Sequence, residues 1–169
     1  MKKLIMIALF VSFIQINAQT KGEDTCPCCT DKHAQFDFWL GNWKVFNTDG
    51  KIIGTNTITK LYDQCVLKEE WISTGSSNGT STNYYNKSDD SWNQVWVDNS
   101  GYSLVLKGML IDGKMILKSE LIEGQKGWYY NQISWTPNKD GSVTQLWELF
   151  KKDGTLIQES FRGIYKKEK

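Results

Sequence analysis

The densest group of reactive side chains in this sequence is CPCCTDKH, residues 26–33. It contains Cys26, Cys28, Cys29 and the single histidine, His33. These side chains are ligands that suit Cu(I) or Zn(II), but structural zinc sites usually leave two or more residues between paired cysteines. The spacing of Cys26 and Cys29 is that of a dithiol redox site, without the α/β pattern that normally surrounds one. We therefore predict no metal and no cofactor.

Disulfide bonding is the favoured chemistry for the cysteines. A bond to the distant Cys65 would tie the N-terminal segment to the rest of the chain, and such a bond is worth about 2–4 kcal/mol. Four cysteines allow three complete pairings, between which sequence alone does not choose. Two of these need a strained bond within CPCC, and the third pairs Cys26 with Cys29 and leaves Cys28 for Cys65. We expect Cys29–Cys65, with Cys26 and Cys28 either free or bridged.

His33 has the side chain best suited to proton transfer near neutral pH. No second histidine accompanies it to build a metal triad, and no serine lies in a nucleophile elbow beside a strand-to-helix turn. We therefore expect His33 to cap or hydrogen-bond locally, beside Gln35 and Asp37.

Two carboxylates, Glu69 and Asp98, could perform acid–base chemistry. Each lies two residues from a tryptophan, Trp71 and Trp96 respectively. If both carboxylates line one aromatic pocket, burial would raise the pKa of one and leave a general acid beside a general base. Whether they meet depends on the elements that carry them.

Those elements are short β-prone runs separated by turn signals. Asp-Gly, a strong hairpin signal, recurs at residues 49–50, 112–113, 140–141 and 153–154. The pattern predicts strands near 42–48, 51–62, 65–73, 79–87, 91–98, 102–110, 114–122, 128–136, 142–151 and 155–166, with a short helical turn at 36–40. Because every connection has hairpin length, we predict an all-β fold, a single antiparallel up-and-down β-barrel of about ten strands.

Alternation along the strands assigns the side chains to two faces. Several runs carry a large indole and an amide or carboxylate on the same face, and a large indole is costly to leave in water. We therefore expect these faces to point inward around a cavity. The predicted ligand-binding residues are Glu69, Trp71, Trp92, Gln94, Trp96, Asp98, Gln145 and Trp147.

The stretch FDFWLGNW, with Gly41 and Trp43 at the start of the first strand, resembles the Gly-x-Trp signature of lipocalins and their calycin relatives. The sole arginine, Arg162, falls in the last strand, where lipocalins carry an arginine that stacks on that tryptophan. With TGSSNGTSTN, WNQVWVDNSG and QLWE, residues 33–166 resemble a family of lipocalin-like domains of exported bacterial proteins. The resemblance implies the barrel and an Arg162–Trp43 contact, and it implies no particular reaction.

The N-terminus reads as an export signal. Two lysines precede an apolar run at residues 4–14, which is too short to span a bilayer. We predict a signal peptide over 1–18, a cysteine-containing arm over 19–35, a barrel domain over 36–169, and a periplasmic or secreted protein without a membrane span in the mature chain.

The amino-acid composition limits the classes of molecule that the protein could bind. Twenty basic residues against nineteen acidic ones leave a net charge of +1, and the lysines are scattered, so we predict no nucleic-acid binding. Eight Trp and seven Tyr favour a lined cavity. The leading hypothesis is a protein that binds a small hydrophobic or amphipathic molecule. The alternative is an isomerase- or decarboxylase-like enzyme using Glu69 and Asp98, and a purely structural domain would instead have a filled core.

Overall fold

The computed structural model describes residues 26–168. Helix α1 (Asp31–Ala34) and a 3₁₀ turn (Asp37–Trp39) precede the strands. These are β1 (Gly41–Phe46), β2 (Ile52–Leu61), β3 (Val66–Ser73), β4 (Gly79–Asn86), β5 (Ser91–Asp98), β6 (Ser103–Ile111), β7 (Lys114–Lys118), β8 (Ile122–Gly124), β9 (Gly127–Pro137), β10 (Val143–Lys151) and β11 (Leu156–Lys167). No helix in this part of the chain is both long and apolar enough to cross a membrane. The predicted signal peptide, 1–18, lies outside the described residues.

Ten of the strands close an antiparallel barrel, which confirms the predicted fold class. Neighbouring strands pair in chain order from β1 to β7, then β7 pairs with β9, β9 with β10, β10 with β11, and β11 with β1. Every pairing between consecutive barrel strands is antiparallel, as hairpin-length connections require. Closure leaves no unpaired edge in the barrel wall.

The predicted strand over 114–122 was wrong in its second half. Strand β7 ends at Lys118, and β8 is a short separate strand that pairs only with β9. The break lies at Ser119, whose Oγ accepts a hydrogen bond from the backbone N–H of Asn131 at 2.9 Å. A serine hydroxyl that bonds the backbone competes with the regular ladder, so the strand stops here.

Two kinds of turn connect the strands. At Asp112-Gly113 both residues have positive φ, 48° and 78°, as a two-residue hairpin turn requires. The β2–β3 turn is different, because Tyr62, Asp63 and Gln64 have φ of 50°, 51° and 69° in succession without a glycine among them. Left-handed conformations cost a non-glycine residue free energy, so the rest of the structure must hold this turn in place.

Two disulfides hold the β2–β3 turn in place. Their pairing shows that the predicted Cys29–Cys65 bond was wrong. Cys26 is bonded to Cys29, and Cys28 to Cys65 at the end of the strained turn. Pro27 explains the difference, since proline favours the second position of a β-turn, and Cys29 N–H donates to the carbonyl of Cys26 at 3.1 Å. The turn brings the outer two cysteines together and leaves Cys28 for the barrel.

The segment before the first strand, residues 26–40, plugs one end of the barrel. Aromatic side chains fill the barrel beneath this plug. Phe36 stacks on Trp39 with ring centroids 5.0 Å apart, and both rings contact Trp135 at 5.2 and 5.3 Å. Trp43 donates from Nε1 to the carbonyl of Trp39 at 2.8 Å, and Trp92 meets Phe36 edge-on. All five side chains are at most 1 % exposed, so this end is closed by a buried aromatic core.

The predicted contact between Arg162 and Trp43 was wrong. Arg162 makes two hydrogen bonds to Glu159, at 2.9 and 2.6 Å, and stays partly exposed on the outside of the barrel. Register explains this, because Trp43 pairs with Lys167 across the β1–β11 ladder, five residues beyond the arginine. The ammonium of Lys167 lies 5.3 Å from the ring centroid of Trp43 and supplies the cation that the resemblance assigned to the arginine.

Candidate functional site

The other half of the barrel contains a cavity of about 200 Å³ that opens to solvent. It lies between the middle of the barrel and the end formed by the turns at 74–78 and 99–102, opposite the aromatic core. Its lining residues come from β3, β5, β6, β9, β10, β11 and the β3–β4 turn: Glu69, Trp71, Ser77, Gln94, Trp96, Asp98, Leu104, Ile133, Gln145, Trp147, Ser160, Phe161 and Tyr165.

Two of the walls are indoles that lie across glycines of the neighbouring strands. A Cβ at Gly54 would come closer than 3.0 Å to the ring of Trp71, and one at Gly79 would do the same to the ring of Trp96. Trp71 is further fixed by a 3.0 Å hydrogen bond from its Nε1 to the carbonyl of Ser77. The two glycines therefore set how far each ring can lie back from the cavity.

The third indole wall is Trp147, on the far side of the cavity. Its Nε1 donates to the side-chain oxygen of Asn131 at 2.8 Å, and Tyr102 stacks on it with centroids 6.4 Å apart. Phe161 completes the apolar lining and meets Trp71 edge-on at 6.1 Å. Each of the three indoles thus has a fixed orientation and one face or edge toward the cavity.

The floor of the cavity is polar and centres on Glu69, which is 4 % exposed. Its Oε1 accepts from the amide of Asn56 at 2.7 Å and its Oε2 from the hydroxyl of Ser81 at 2.6 Å. Behind them, Asn83 donates to Ser81 Oγ at 2.8 Å, and Gln94 donates to Asn83 at 2.8 Å. Burial raises the pKa of Glu69, and the hydrogen bonds from Ser81 and Asn56 offset part of that rise.

Tyr165 and Gln145 extend the floor toward β10 and β11. The Tyr165 hydroxyl hydrogen-bonds Gln145 Oε1, and it accepts from Asn56 at 3.4 Å. Burial, with the nearby charge of Glu69 as a smaller cause, raises the pKa of Tyr165 well above its usual range. The phenol is therefore neutral at any physiological pH.

Asp98 lies at the mouth rather than on the floor. Its Oδ1 accepts from the hydroxyl and the backbone N–H of Ser100, at 2.6 and 2.9 Å, and from the N–H of Tyr102 at 3.2 Å. Hydrogen bonds from Ser100 are the main cause that lowers the pKa of Asp98. It is ionised at neutral pH and also holds its own turn together.

Seven of the eight predicted ligand-binding residues line this one cavity. The eighth, Trp92, does not: it is 1 % exposed in the closed end, where its Nε1 donates to Gln35 at 3.2 Å. Alternation correctly put it on the inner face, but Trp92 is the second residue of β5, at the closed end, and Trp96 lies four residues nearer the mouth. The strand face on which a residue lies does not determine how far along the barrel axis it is placed.

Sequence reasoning missed the residues that support the floor, namely Asn56, Ser81, Asn83 and Tyr165. Polar side chains on the inward face of a strand were the available signal, since Ser81 and Asn83 alternate with Thr80 and Thr82 in β4. Gly54 and Gly79 were also missed, because nothing in a single sequence tells a glycine beneath an indole from one in a turn.

The cysteine and histidine cluster lies away from the cavity, at the closed end. All four thiols are consumed in disulfides, and no group of three or more potential metal ligands occurs among residues 26–168. His33 is buried, its Nδ1 hydrogen-bonds Thr30 Oγ1 at 2.7 Å, and its ring meets Tyr85 edge-on. Burial is the main cause that lowers its pKa, so the ring is neutral at pH 7. His33 therefore makes a local hydrogen bond, as expected, and its partner is Thr30.

No protein-family model and no curated protein matches the chain. The class that the structure itself defines is a closed ten-stranded antiparallel barrel, plugged at one end and hollow at the other, with an aromatic interior. That architecture is consistent with a lipocalin-like fold.

Proposed function

We propose that this protein binds a small, partly apolar molecule in the open half of the barrel. The observation that carries the proposal is the cavity of about 200 Å³ with three indole walls above a polar floor. Ligand pockets typically combine apolar and aromatic walls with a few convergent polar groups. A cavity of about 150 Å³ holds benzene, so this one suits a molecule of one ring with a short substituent.

The packing of the closed end supports a cavity that exists before the ligand arrives. The closed end provides a buried aromatic core, and the Cys28–Cys65 disulfide ties the segment that plugs it to the barrel. A preformed pocket avoids the cost of ordering side chains on binding. Trp71, Trp96 and Trp147 would hold the apolar part of the ligand, while Glu69, Gln94 and Gln145 would orient its polar part.

The finer assignments belong to the same proposal. Two disulfides favour an oxidising compartment, which agrees with the export signal read from the sequence, so we propose a periplasmic or secreted binding protein related to the lipocalins. A signal peptide over 1–18 and a barrel domain over 36–169 remain predictions.

Ligand titration of tryptophan fluorescence tests the binding proposal. One-ring aromatic compounds should quench or shift the emission of the wild-type protein with saturation. Trp96→Ala should weaken binding at least tenfold, because it removes one wall. The matched control is Trp128→Ala, which removes an indole that is 48 % exposed on β9 and does not line the cavity. Equal affinity in both variants would contradict the site.

Native mass spectrometry of the protein from an exporting host gives an independent reading. A retained organic mass that is lost in Trp96→Ala and kept in Trp128→Ala would identify the ligand class directly. A bare chain that also fails to respond in the fluorescence titration would overturn the proposal.

Acid–base catalysis in the same cavity is the second candidate. It is favoured by one observation, that burial raises the pKa of Glu69 while hydrogen bonds lower that of Asp98, as in enzymes with a general acid and a general base. Asp98 is engaged in three hydrogen bonds of its own turn, which limits its availability for proton transfer. Turnover of any bound ligand that is abolished by both Glu69→Gln and Asp98→Asn would establish it.

A further inference from the structure

The charge of the cavity is one-sided. Two of its lining residues, Glu69 on the floor and Asp98 at the mouth, carry carboxylates, and none of the described lining residues is Lys, Arg or His. Low-dielectric walls around charges of one sign focus their field into a cleft. The cavity therefore attracts cations and repels anions.

Glu69 is arranged to accept hydrogen bonds as a carboxylate. The amide of Asn56 can only donate through its nitrogen, and Ser81 Oγ already accepts from Asn83, so its proton is directed at Glu69 Oε2. Both donors are neutral, and none of the described salt bridges involves Glu69. A buried carboxylate without a cation is costly, and it persists where function uses it.

The walls suit the same charge. Faces of Trp and Phe rings attract ammonium groups, and the attraction increases when water is excluded. Trp71, Trp96, Trp147 and Phe161 line the space between the mouth and the floor. An organic cation entering the cavity would pass Asp98, contact indole faces and end at Glu69.

We propose that the ligand carries a protonated amine, which pairs with Glu69 on the cavity floor while its apolar group lies among Trp71, Trp96 and Trp147. The inference rests on the proposed binding function and specifies its ligand class. Size limits the ligand to about one aromatic ring with a short aminoalkyl chain, since a cavity of about 150 Å³ holds benzene.

Binding should then depend on pH through Glu69. The groups that face it are Asn56 from β2, Ser81 from β4, Gln94 from β5 and Tyr165 from β11, of which only Tyr165 titrates, far above neutrality. An amine binds the ionised carboxylate, so affinity should rise with pH while Glu69 ionises. It should fall again only when the amine loses its proton, at about pH 10.

A matched series of three probes tests the inference on the unmodified protein: 2-phenylethylamine, 2-phenylethanol and phenylacetate. They share a ring and differ in charge. By calorimetry and tryptophan fluorescence at pH 8, the amine should bind at least tenfold more tightly than the alcohol, and the acid should bind most weakly.

Two variants locate the effect. Glu69→Gln should remove the preference for the cation, so that the amine binds the variant no more tightly than the alcohol does. Glu70→Gln is the control, because Glu70 is the next residue of β3, exposed on the outer face and paired with Lys68. It should change neither affinity. Near-UV circular dichroism establishes that both variants keep the native packing.

The outcomes separate the two proposals. If amine and alcohol bind equally, or the acid binds best, the cavity is a binding site and the ammonium inference is overturned. If the amine is preferred but Glu69→Gln does not reduce that preference, the assignment to Glu69 is overturned. If none of the three probes binds up to millimolar concentration, both the inference and the proposed one-ring binding site fall.

Discussion

The two ends of this barrel use the same residue type for opposite purposes. In the closed end, Trp39, Trp43, Trp92 and Trp135 are buried to 1 % exposure or less within one hydrophobic cluster. In the open end, Trp71, Trp96 and Trp147 are only partly buried and stand around space. An aromatic residue stabilises a fold when its ring is covered by others, and it forms a site when one face is left uncovered.

Removing one indole from each end should give the largest difference. Trp39→Ala deletes a side chain that is 0 % exposed, and substitutions of this kind cost about 3–5 kcal/mol. Trp96→Ala should cost about 1–2 kcal/mol, because the ring already borders a cavity. Denaturant midpoints measure both, and equal losses would contradict the division between a core end and a site end.

The disulfides of the closed end should differ in the same direction as their loop lengths. Cys28–Cys65 closes a separation of 37 residues and Cys26–Cys29 one of three. By chain entropy, replacing both members of the long bond with serine should cost about 4 kcal/mol, against about 2 kcal/mol for the short one.

Thermal unfolding of the two double variants measures this second difference. Because the long bond also anchors the strained turn at 62–64, its loss should increase proteolysis at that turn. Unchanged stability in the Cys28/Cys65 variant would show that packing alone holds the plug.

Substituting Glu69 on the cavity floor should increase the free energy of unfolding, whereas the substitutions above reduce it, because a buried charge kept for binding lowers stability. A raised pKa in the folded state means that Glu69 contributes its full stability below the ordinary Glu pKa, and that this stability is lost as pH rises through the raised value. Glu69→Gln should therefore match the wild type near pH 4 and exceed it by roughly 1 kcal/mol at pH 8.

Unfolding curves of the wild type and Glu69→Gln across that pH range measure the gap between their free energies of unfolding. The carboxylates with lowered pKa, such as Asp98 and Asp140, are common to both proteins and cancel in the difference. A gap that stays constant with pH would mean that the charge of Glu69 is already balanced.

The smallest effect should come from Arg162, which belongs to neither end. Its ion pair with Glu159 is on the surface, and such pairs contribute about 0–1 kcal/mol. Arg162→Met should change the unfolding free energy by less than about 1 kcal/mol. The environment of Trp43, followed by its indole N–H resonance, should not change, whereas Lys167→Met should shift that resonance.

Most of the fold could be predicted because hairpin signals act locally. Asp-Gly pairs and alternating runs gave the ten barrel strands to within a few residues, and the exception, β7, ends at a serine whose side chain competes with the ladder. Pairing across the closure could not be predicted to the residue. The register between β1 and β11 decides that Lys167, not Arg162, lies over Trp43.

The sequence was enough to predict which strand faces line the candidate site, but not where along the barrel axis the cavity lies. Alternation put Glu69, Trp71, Gln94 and Trp96 on the inner side, since burying indoles is favourable wherever they lie. Depth along the barrel axis depends on strand tilt and on what fills the other end. Trp92 was therefore placed in the site although Phe36 and Gln35 reach it from the plug.

Both ends of the described chain lie at the closed end of the barrel. Glu168 N–H donates to the carbonyl of Asn42 at 2.9 Å beside the start of β1, and the Cys26–Cys29 turn lies against the β2–β3 turn at the same end. A tag joined directly after Glu168 would consequently attach the protein to a solid support by its closed end. The mouth would then face the flowing solution, an orientation suited to measuring small-molecule association by a surface-based sensor without blocking the cavity.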